Sequence, residues 1–380
     1  MFKKIRLITM KFKACLFLSF LVVWAHAQAP ESRDTIPSRD STGVRSAEKT
    51  ISLFEKLQQD NIWEISIATN FDSLDYYKFK ETYQPANFAF KNSDGTVTKM
   101  KIKVRTRGKI RKRICNYVSL KLKFKKANLV AMGLSEENKY KLVCQCEKGK
   151  NAEQLIFREY LAYRFYNIIA EDSYRTHLFK INYLDTSTGK SEIRYGFLIE
   201  DEDALAKRRG GEILERTDFI ENNVSRKCLV QVCIFQYMIG NTDWSVLFLH
   251  NVKIMSTPDN KMILPVPYDF DFSGLVNAPY AVPNPDLELN EVTDRYFMKS
   301  GCSKKEIAAH LEQFRQKKEA ITSEWQSFEL LNNQSRRHLN RFMSKFFESI
   351  ENPKKTAHLA EAKPNKWQIF LKNTNAWRWS

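Results

Sequence analysis

From Ile62 onward the side chains alternate apolar and polar, Ile-Trp-Glu-Ile-Ser-Ile-Ala, with the two-residue period of a half-buried strand. Asn92-Ser93-Asp94-Gly95 has the residue types of a hairpin turn and leads into a second strand, Val97 to Val104. There Lys99, Lys101, Lys103, Arg105 and Arg107 alternate with Met100, Ile102 and Val104, which predicts one basic and one apolar face. The same period recurs over Ser119 to Phe124 and Tyr140 to Cys146. It then changes. Between 152 and 170, Leu155, Leu161, Ala162, Phe165, Ile168 and Ile169 fall at helical spacing and predict an amphipathic helix. Strands over His177 to Leu184 and Ile193 to Ile199 follow, separated by the turn residues Thr186-Ser187-Thr188-Gly189.

After the acidic run Glu200 to Asp203 the pattern is mainly helical. Residues 226–239 are apolar on most faces and stop at Gly240, which predicts a buried helix. A loop over 241–251 precedes a short hairpin, Val252 to Met255 and Met262 to Val266, closed by Tyr268-Asp269-Phe270-Asp271. Residues 304–350 read as helical, with Ile307, Leu311, Phe314, Ile321, Trp325, Phe328, Leu339, Phe342, Phe346 and Ile350 as core positions. The pattern divides the folded part into a β-rich region over 50–200 and a helical region over 201–350. A Lys-, Asn- and Trp-rich tail follows over 351–380.

The start of the chain is of another kind. Lys3, Lys4, Arg6, Lys11 and Lys13 precede the apolar run Ala14 to Trp24, and Ala25-His26-Ala27 offers small residues for cleavage, so residues 1–27 read as a signal peptide. Its apolar run is short of the roughly 20 residues a spanning helix needs, and no later stretch comes closer. The expectation is an exported protein of the periplasm, cell envelope or medium, with no transmembrane segment once the signal is removed. Residues 28–48 are polar, with two prolines and a repeated Ser-Arg-Asp, and read as a disordered leader.

Composition narrows the class. With 380 residues, 43% hydrophobic, and only 12 Gly and 11 Pro, the chain is long enough for large cores and is neither collagen-like nor low-complexity. The formal net charge is +17, and loss of the five cations of the signal lowers it to +12. Thirteen Lys or Arg and no Asp or Glu lie between Lys99 and Lys126, a candidate anion-binding patch. Tyr117 and Phe124 are its only aromatics, so a stacking surface for nucleic acid is missing. Beyond the signal stand Cys115, Cys144, Cys146, Cys228, Cys233 and Cys302. An even number in an exported chain permits disulfides in fifteen possible pairings. No paired C-x-x-C spacing supports zinc.

Three segments gather chemistry. Arg105-Thr106-Arg107-Gly108 opens the basic loop Lys109 to Arg113, where guanidinium groups and a permissive glycine suit phosphate oxygens or, more plainly, a soluble turn. Gly240-Asn241-Thr242-Asp243-Trp244-Ser245, followed by His250-Asn251, puts a carboxylate and an amide oxygen on a loop leaving the buried helix, although Asn and Asp also simply cap loops. Tyr268-Asp269-Phe270-Asp271 brings two carboxylates together, which demands a neutralising cation: magnesium, or an ordinary Arg or Lys partner.

In order, Arg105-Thr106-Arg107-Gly108 with Ser119-Leu120-Lys121-Leu122-Lys123-Phe124, then Lys141-Leu142-Val143, the helix with Arg158, Asp243 to Asn251, and Tyr268-Asp269-Phe270-Asp271 resemble the CotH-like atypical protein kinases. The chain is also similar to exported Bacteroidetes-type proteins with the same Gly-Asn-Thr-Asp-Trp-Ser and Tyr-Asp-Phe-Asp strings. The resemblance spans roughly residues 60 to 300. It implies an α+β, two-lobed, protein-kinase-like fold, with an antiparallel β-rich N-lobe carrying one helix and a mainly helical C-lobe. It implies Asp243 as the acceptor-orienting catalytic carboxylate, and Asn251, Asp269 and Asp271 as metal ligands, Asn251 belonging to the catalytic set as well. Arg105, Arg107 and Lys121 or Lys141 would bind the nucleotide phosphates, with Glu159 or Glu153 as the lysine's partner. The cofactors implied are Mg2+ and ATP, and the acceptor a protein or other hydroxyl. The chain departs from the kinase pattern in three ways: the Asp-to-Asn interval is eight, no G-x-G-x-x-G loop exists, and Asp271 stands where the motif has glycine. The contrasting expectation is an inactive envelope protein that binds an anionic partner through the basic patch.

Overall fold

Seven strands with inward apolar and outward polar residues close on themselves. The computed structural model describes residues 50–149, 151–215, 223–259, 261–299, 301–354 and 356. The first elements are α1 (Leu53–Gln59), β1 (Glu64–Thr69), α2 (Phe71–Tyr76), β2 (Gln84–Lys91), β3 (Val97–Thr106), α3 (Arg111–Ile114), β4 (Leu120–Lys123), α4 (Lys126–Ala131) and β5 (Lys139–Cys144). After them come α5 (Glu153–Ile169), β6 (Thr176–Asp185) and β7 (Ser191–Ile199). The strand order is β1-β2-β3-β4-β5-β7-β6, and the barrel closes through a parallel β1·β6 pair, Glu64↔Lys180 to Thr69↔Asp185. Closure leaves no edge to protect. Ile65, Ile67, Phe88, Phe90, Ile102, Val104, Leu122, Leu142, Phe179 and Ile181 fill the interior. Leu53, Phe54 and Leu57 of α1 join that core, and a Ser52–Glu55 capping box fixes the start of α1.

The second half holds α6 (Glu202–Arg209), β8 (Ile213–Leu214), α7 (Arg226–Ile239), β9 (Val252–Ser256), β10 (Ile263–Pro267), α8 (Lys304–Gln316), α9 (Lys318–Gln326) and α10 (Asn333–Glu351). Helix α7 buries Val230, Val232, Ile234, Phe235, Met238 and Ile239, so it is a core element without a polar face. A three-stranded sheet, β10-β9-β8, and helices α5 and α8 to α10 complete the cluster around it.

The two-lobed kinase-like expectation is overturned here. A closed seven-stranded barrel replaces the antiparallel sheet of a kinase N-lobe, and ten helices, four of them before β5, replace the simple pattern of one helix and then a helical region among the described residues. Three features escaped the periodicity. Parallel pairing of β1 with β6 joins segments more than a hundred residues apart, and nothing in either strand's own alternation distinguishes it. Helices α1 to α4 span only four to seven residues, too short for a helical period to stand out. Strand β2 begins at Gln84-Pro85, whose proline marks it as a poor strand by sequence.

A disulfide joins Cys115, at the end of α3, to Cys146 after β5. No helix among the described residues is long and apolar enough to cross a membrane. The segments expected to be a signal peptide and a leader, residues 1–27 and 28–48, and most of the 351–380 tail lie outside the described residues.

Candidate functional site

The carboxylate-bearing loops are brought together by glycines. Helix α7 ends at Gly240, at a φ of 62°. Gly274 N–H donates to the Gly240 carbonyl (3.0 Å) and Leu275 N–H to that of Ile239 (2.9 Å). A Cβ on Gly274 would stand 2.7 Å from the Val292 carbonyl oxygen, so only glycine fits between that stretch of backbone and the end of α7. The loop after α7 is thereby held against the segment after β10.

Within the loop, buried Asn241 accepts the Asp243 N–H (3.0 Å) and donates to Gln236 Oε1 (3.0 Å). Asn251 Nδ2 donates to the Asp243 carbonyl (2.8 Å) and to Asp243 Oδ2 (3.0 Å), while His250 Nε2 lies 2.7 Å from Asp243 Oδ1. Ser245 and His250 exchange backbone hydrogen bonds at 2.9 Å each way. Asp243 is thus gripped on both oxygens, and its side chain is still 37% exposed. Tyr268 N–H donates to the Asn251 carbonyl (3.0 Å), and the next amide, of Asp269, donates to the Tyr163 hydroxyl (2.9 Å). Leu249, Asn251 and Asp269 all have positive φ, 48°, 51° and 63°. Left-handed non-glycine residues concentrated in one site store backbone strain of the kind that gathers at functional centres.

The Asp269 carboxylate receives no hydrogen bond from any described residue. Burial and then Asp271 push its pKa above the ordinary carboxylate range, Asp243 adds to the push, and Arg111 and Arg107 oppose it. Asp271 is buried and committed: its Oδ2 accepts from Arg111 Nε (3.0 Å) and from the Tyr280 hydroxyl (3.2 Å). The same guanidinium donates through Nη2 to Glu159 Oε2 (2.6 Å), and its Nη1 reaches the Cys144 carbonyl (3.4 Å). Burial opposes the Arg111 charge, but Asp271 and Glu159 outweigh it and hold the pKa far above its ordinary value. Glu159 moves upward because burial outweighs the pull of Arg111.

On the outer wall of the barrel the register places Arg105 opposite Lys121 and Lys121 opposite Lys141. Burial, with Lys141 and Arg105 alongside, lowers the Lys121 pKa. Lys141 pairs with Glu202 (2.9 Å) and lies 6.0 Å from the centre of the Tyr268 ring, which carries the row to the neighbour of Asp269. Arg105 pairs with Glu81 (3.0 Å). Arg107 is half-buried, and its side chain forms no hydrogen bond or ion pair among the described residues, yet its charge reaches Asp269, Tyr163 and Tyr268.

The sequence-derived set therefore separates. Asp243 and Asn251 touch, and Asp269 feels the charge of Asp243 and Arg107. Neither Lys121 nor Lys141 is the partner of Glu159; Arg111 is. Asp271 is a structural anion, already neutralised by that arginine. Arg111 was not separable by sequence from its neighbours in Lys109 to Arg113; the signal for it was Glu159 itself, a carboxylate inside an apolar helical pattern that demands a buried cation. His250 stood beside Asn251 in the sequence, but its contact with Asp243 depends on the loop reversing.

The donors available to a metal can be tested against magnesium, which favours oxygen ligands, keeps several waters and needs only one or two protein carboxylates. Asp269 offers an unbonded carboxylate, and Asn251 Oδ1 accepts no hydrogen bond among the described residues, so this pair fits. No three His, Cys, Asp or Glu side chains among the described residues form a fuller cage. No protein-family model matches the chain, and no curated protein matches it either.

Proposed function

We propose that this group of side chains binds a magnesium-complexed nucleotide and transfers a phosphoryl group to a hydroxyl acceptor on a protein or other molecule. The observation that carries the reading is the Asp269 carboxylate, crowded by Asp243 and Asp271 and yet without a hydrogen-bond donor, beside a half-buried Arg107 with no anionic partner among the described residues. Like charges in such proximity are costly unless a ligand supplies a cation, and a cation there makes a phosphate welcome. Asp269 and Asn251 would hold magnesium, which when bound neutralises phosphate charge. Arg107 and Lys121 would grip phosphate oxygens. Asp243, oriented by Asn251 and His250, would accept a hydrogen bond from the attacking hydroxyl and take its proton. The reading rests on these side chains and not on a kinase architecture. The CotH-like resemblance stands beside it as a proposal of kinship.

Asp243→Asn and Asp269→Asn separate the roles. Transfer of labelled phosphoryl from ATP to a hydroxyl acceptor should fall by at least about a hundredfold in either variant. Nucleotide binding should survive in the first and fail in the second. Turnover unaltered in both would refute the reading.

A second reading has its own support. Lys103↔Lys123, Arg105↔Lys121 and Lys121↔Lys141 form a cross-strand band of cations on the barrel wall, suited to an anionic partner without catalysis. It is favoured if a Lys121→Glu/Lys123→Glu variant loses salt-sensitive binding of a polyanion while no nucleotide binds.

A further inference from the structure

The barrel has a second polar feature at one mouth. The ends of β1, β3, β5 and β6 and the starts of β4 and β7 meet there, and α2 folds over it, around a cavity of about 630 Å3. That volume lies within the range of small-molecule sites. Arg194 of β7 lines it and is 8% exposed. Its guanidinium is 3.5 Å from the centre of the Tyr117 ring and 4.0 Å from that of Tyr183. Two rings on one guanidinium fix its position and supply cation–π attraction, but satisfy none of its five N–H donors. Arg194 Nε is buried without a hydrogen-bond partner, and its one ion-pair contact among the described residues, Glu192 Oε2 at 3.8 Å, is beyond hydrogen-bond reach. Glu192 itself accepts from the Tyr117 hydroxyl at 2.8 Å. A buried guanidinium with idle donors is costly unless something completes it.

The remaining walls say what that is. Phe71, Leu74, Val118 and Leu120 give an apolar lining. Acidic Asp72, Asp75, Asp185 and Glu192 stand around the cavity against Lys190 and Arg194. Asp185 is taken up by Ser187, Thr188 and the Phe71 amide, and Asp75 by Lys78. Asp72 alone of these carboxylates forms no hydrogen bond or ion pair among the described residues, and it favours a ligand that carries a positive group besides its anion. We infer that the barrel mouth binds a small zwitterion with an apolar body, an α-amino acid such as phenylalanine or leucine, its carboxylate paired with the Arg194 fork and its ammonium toward the acidic rim. This site is independent of the Asp243 and Asp269 carboxylates and does not rest on the phosphoryl-transfer reading.

Titration calorimetry of the protein with L-phenylalanine, 3-phenylpropionate and phenethylamine tests it. Phenylalanine is expected to bind with a Kd at or below about 1 mM. Phenylpropionate, which lacks the ammonium, should bind several-fold more weakly, and phenethylamine, which lacks the carboxylate, not detectably. Arg194→Met should weaken phenylalanine binding by about tenfold or more, the loss of a charge-assisted pair. Since removing a stacked arginine can also loosen the fold, Val118→Trp serves as the second variant: it fills the cavity, leaves the guanidinium, and should abolish binding with an unchanged unfolding midpoint. Absence of phenylalanine binding to the wild type, binding of phenethylamine as tight as that of phenylalanine, or full binding in Val118→Trp overturns the inference.

Discussion

Replacing Arg111 by Met removes the cation that Glu159 and Asp271 share inside the protein. The guanidinium and both carboxylates are nearly buried, and the two ion-pair contacts are 2.6 and 3.0 Å. Breaking a buried pair by deleting one partner typically costs about 3–5 kcal/mol, because the charge left behind has no water and no counter-ion. Asp271 loses its counter-ion and Glu159 its hydrogen-bond donor together, so a cost within that range is expected near neutral pH, a large part of the stability of an ordinary domain. The cost must also depend on pH. Burial already holds the Glu159 pKa above its unfolded value and Arg111 opposes that push, so without Arg111 the folded-state value rises further, the unfolded chain loses this proton first, and stability falls as pH rises through that window. The deficit of Arg111→Met against wild type, measured by urea unfolding, should therefore be larger near pH 8 than near pH 5. Arg111→Met/Glu159→Gln should recover part of it, as expected for residues in contact. A loss below about 1 kcal/mol at both pH values, or one that shrinks as pH rises, would refute the buried-triad reasoning.

Two further outcomes follow from the same physical chemistry. Burial, with Asp201, Glu200 and Glu55 nearby, raises the Glu137 pKa to about 7; its folded value exceeds its unfolded one, so stability should decline between about pH 4.5 and 7, by about 1–3 kcal/mol, and Glu137→Gln should flatten that slope in thermal melts across pH. The Cys115–Cys146 bond closes a loop with a sequence separation of 31, so Cys115→Ser/Cys146→Ser should lose about 3–4 kcal/mol in urea unfolding, and an unchanged midpoint would argue against the bond.

Much of the local structure was legible from periodicity. Helix α7 follows its apolar pattern from Arg226 to Ile239 and stops at Gly240, where a left-handed residue is needed. The alternation of β3 puts Met100, Ile102 and Val104 inside and the lysines outside. Barrel closure was not legible, since the β1·β6 partnership depends on distant segments meeting and not on either segment's composition. The motifs around Asp243 and Asp269 marked two chain segments that do meet. What the sequence could not provide was charge assignment: which of Arg105, Arg107, Arg111, Lys121 and Lys141 turns inward depends on one short helix, α3, aiming Arg111 between α5 and the segment after β10. Arg194 likewise reads as one more cation in a strand until the two tyrosines close on it.

Calorimetric titration of the protein with a non-hydrolysable ATP analogue, with magnesium and with a chelator, tests the central proposal most directly. Binding is expected only with magnesium, abolished in Asp269→Asn and retained in Asp243→Asn, because Asp269 would hold the metal while Asp243 would face the acceptor. Binding that is equal with the chelator, or unaffected by Asp269→Asn, or absent from the wild-type chain with magnesium, would contradict it.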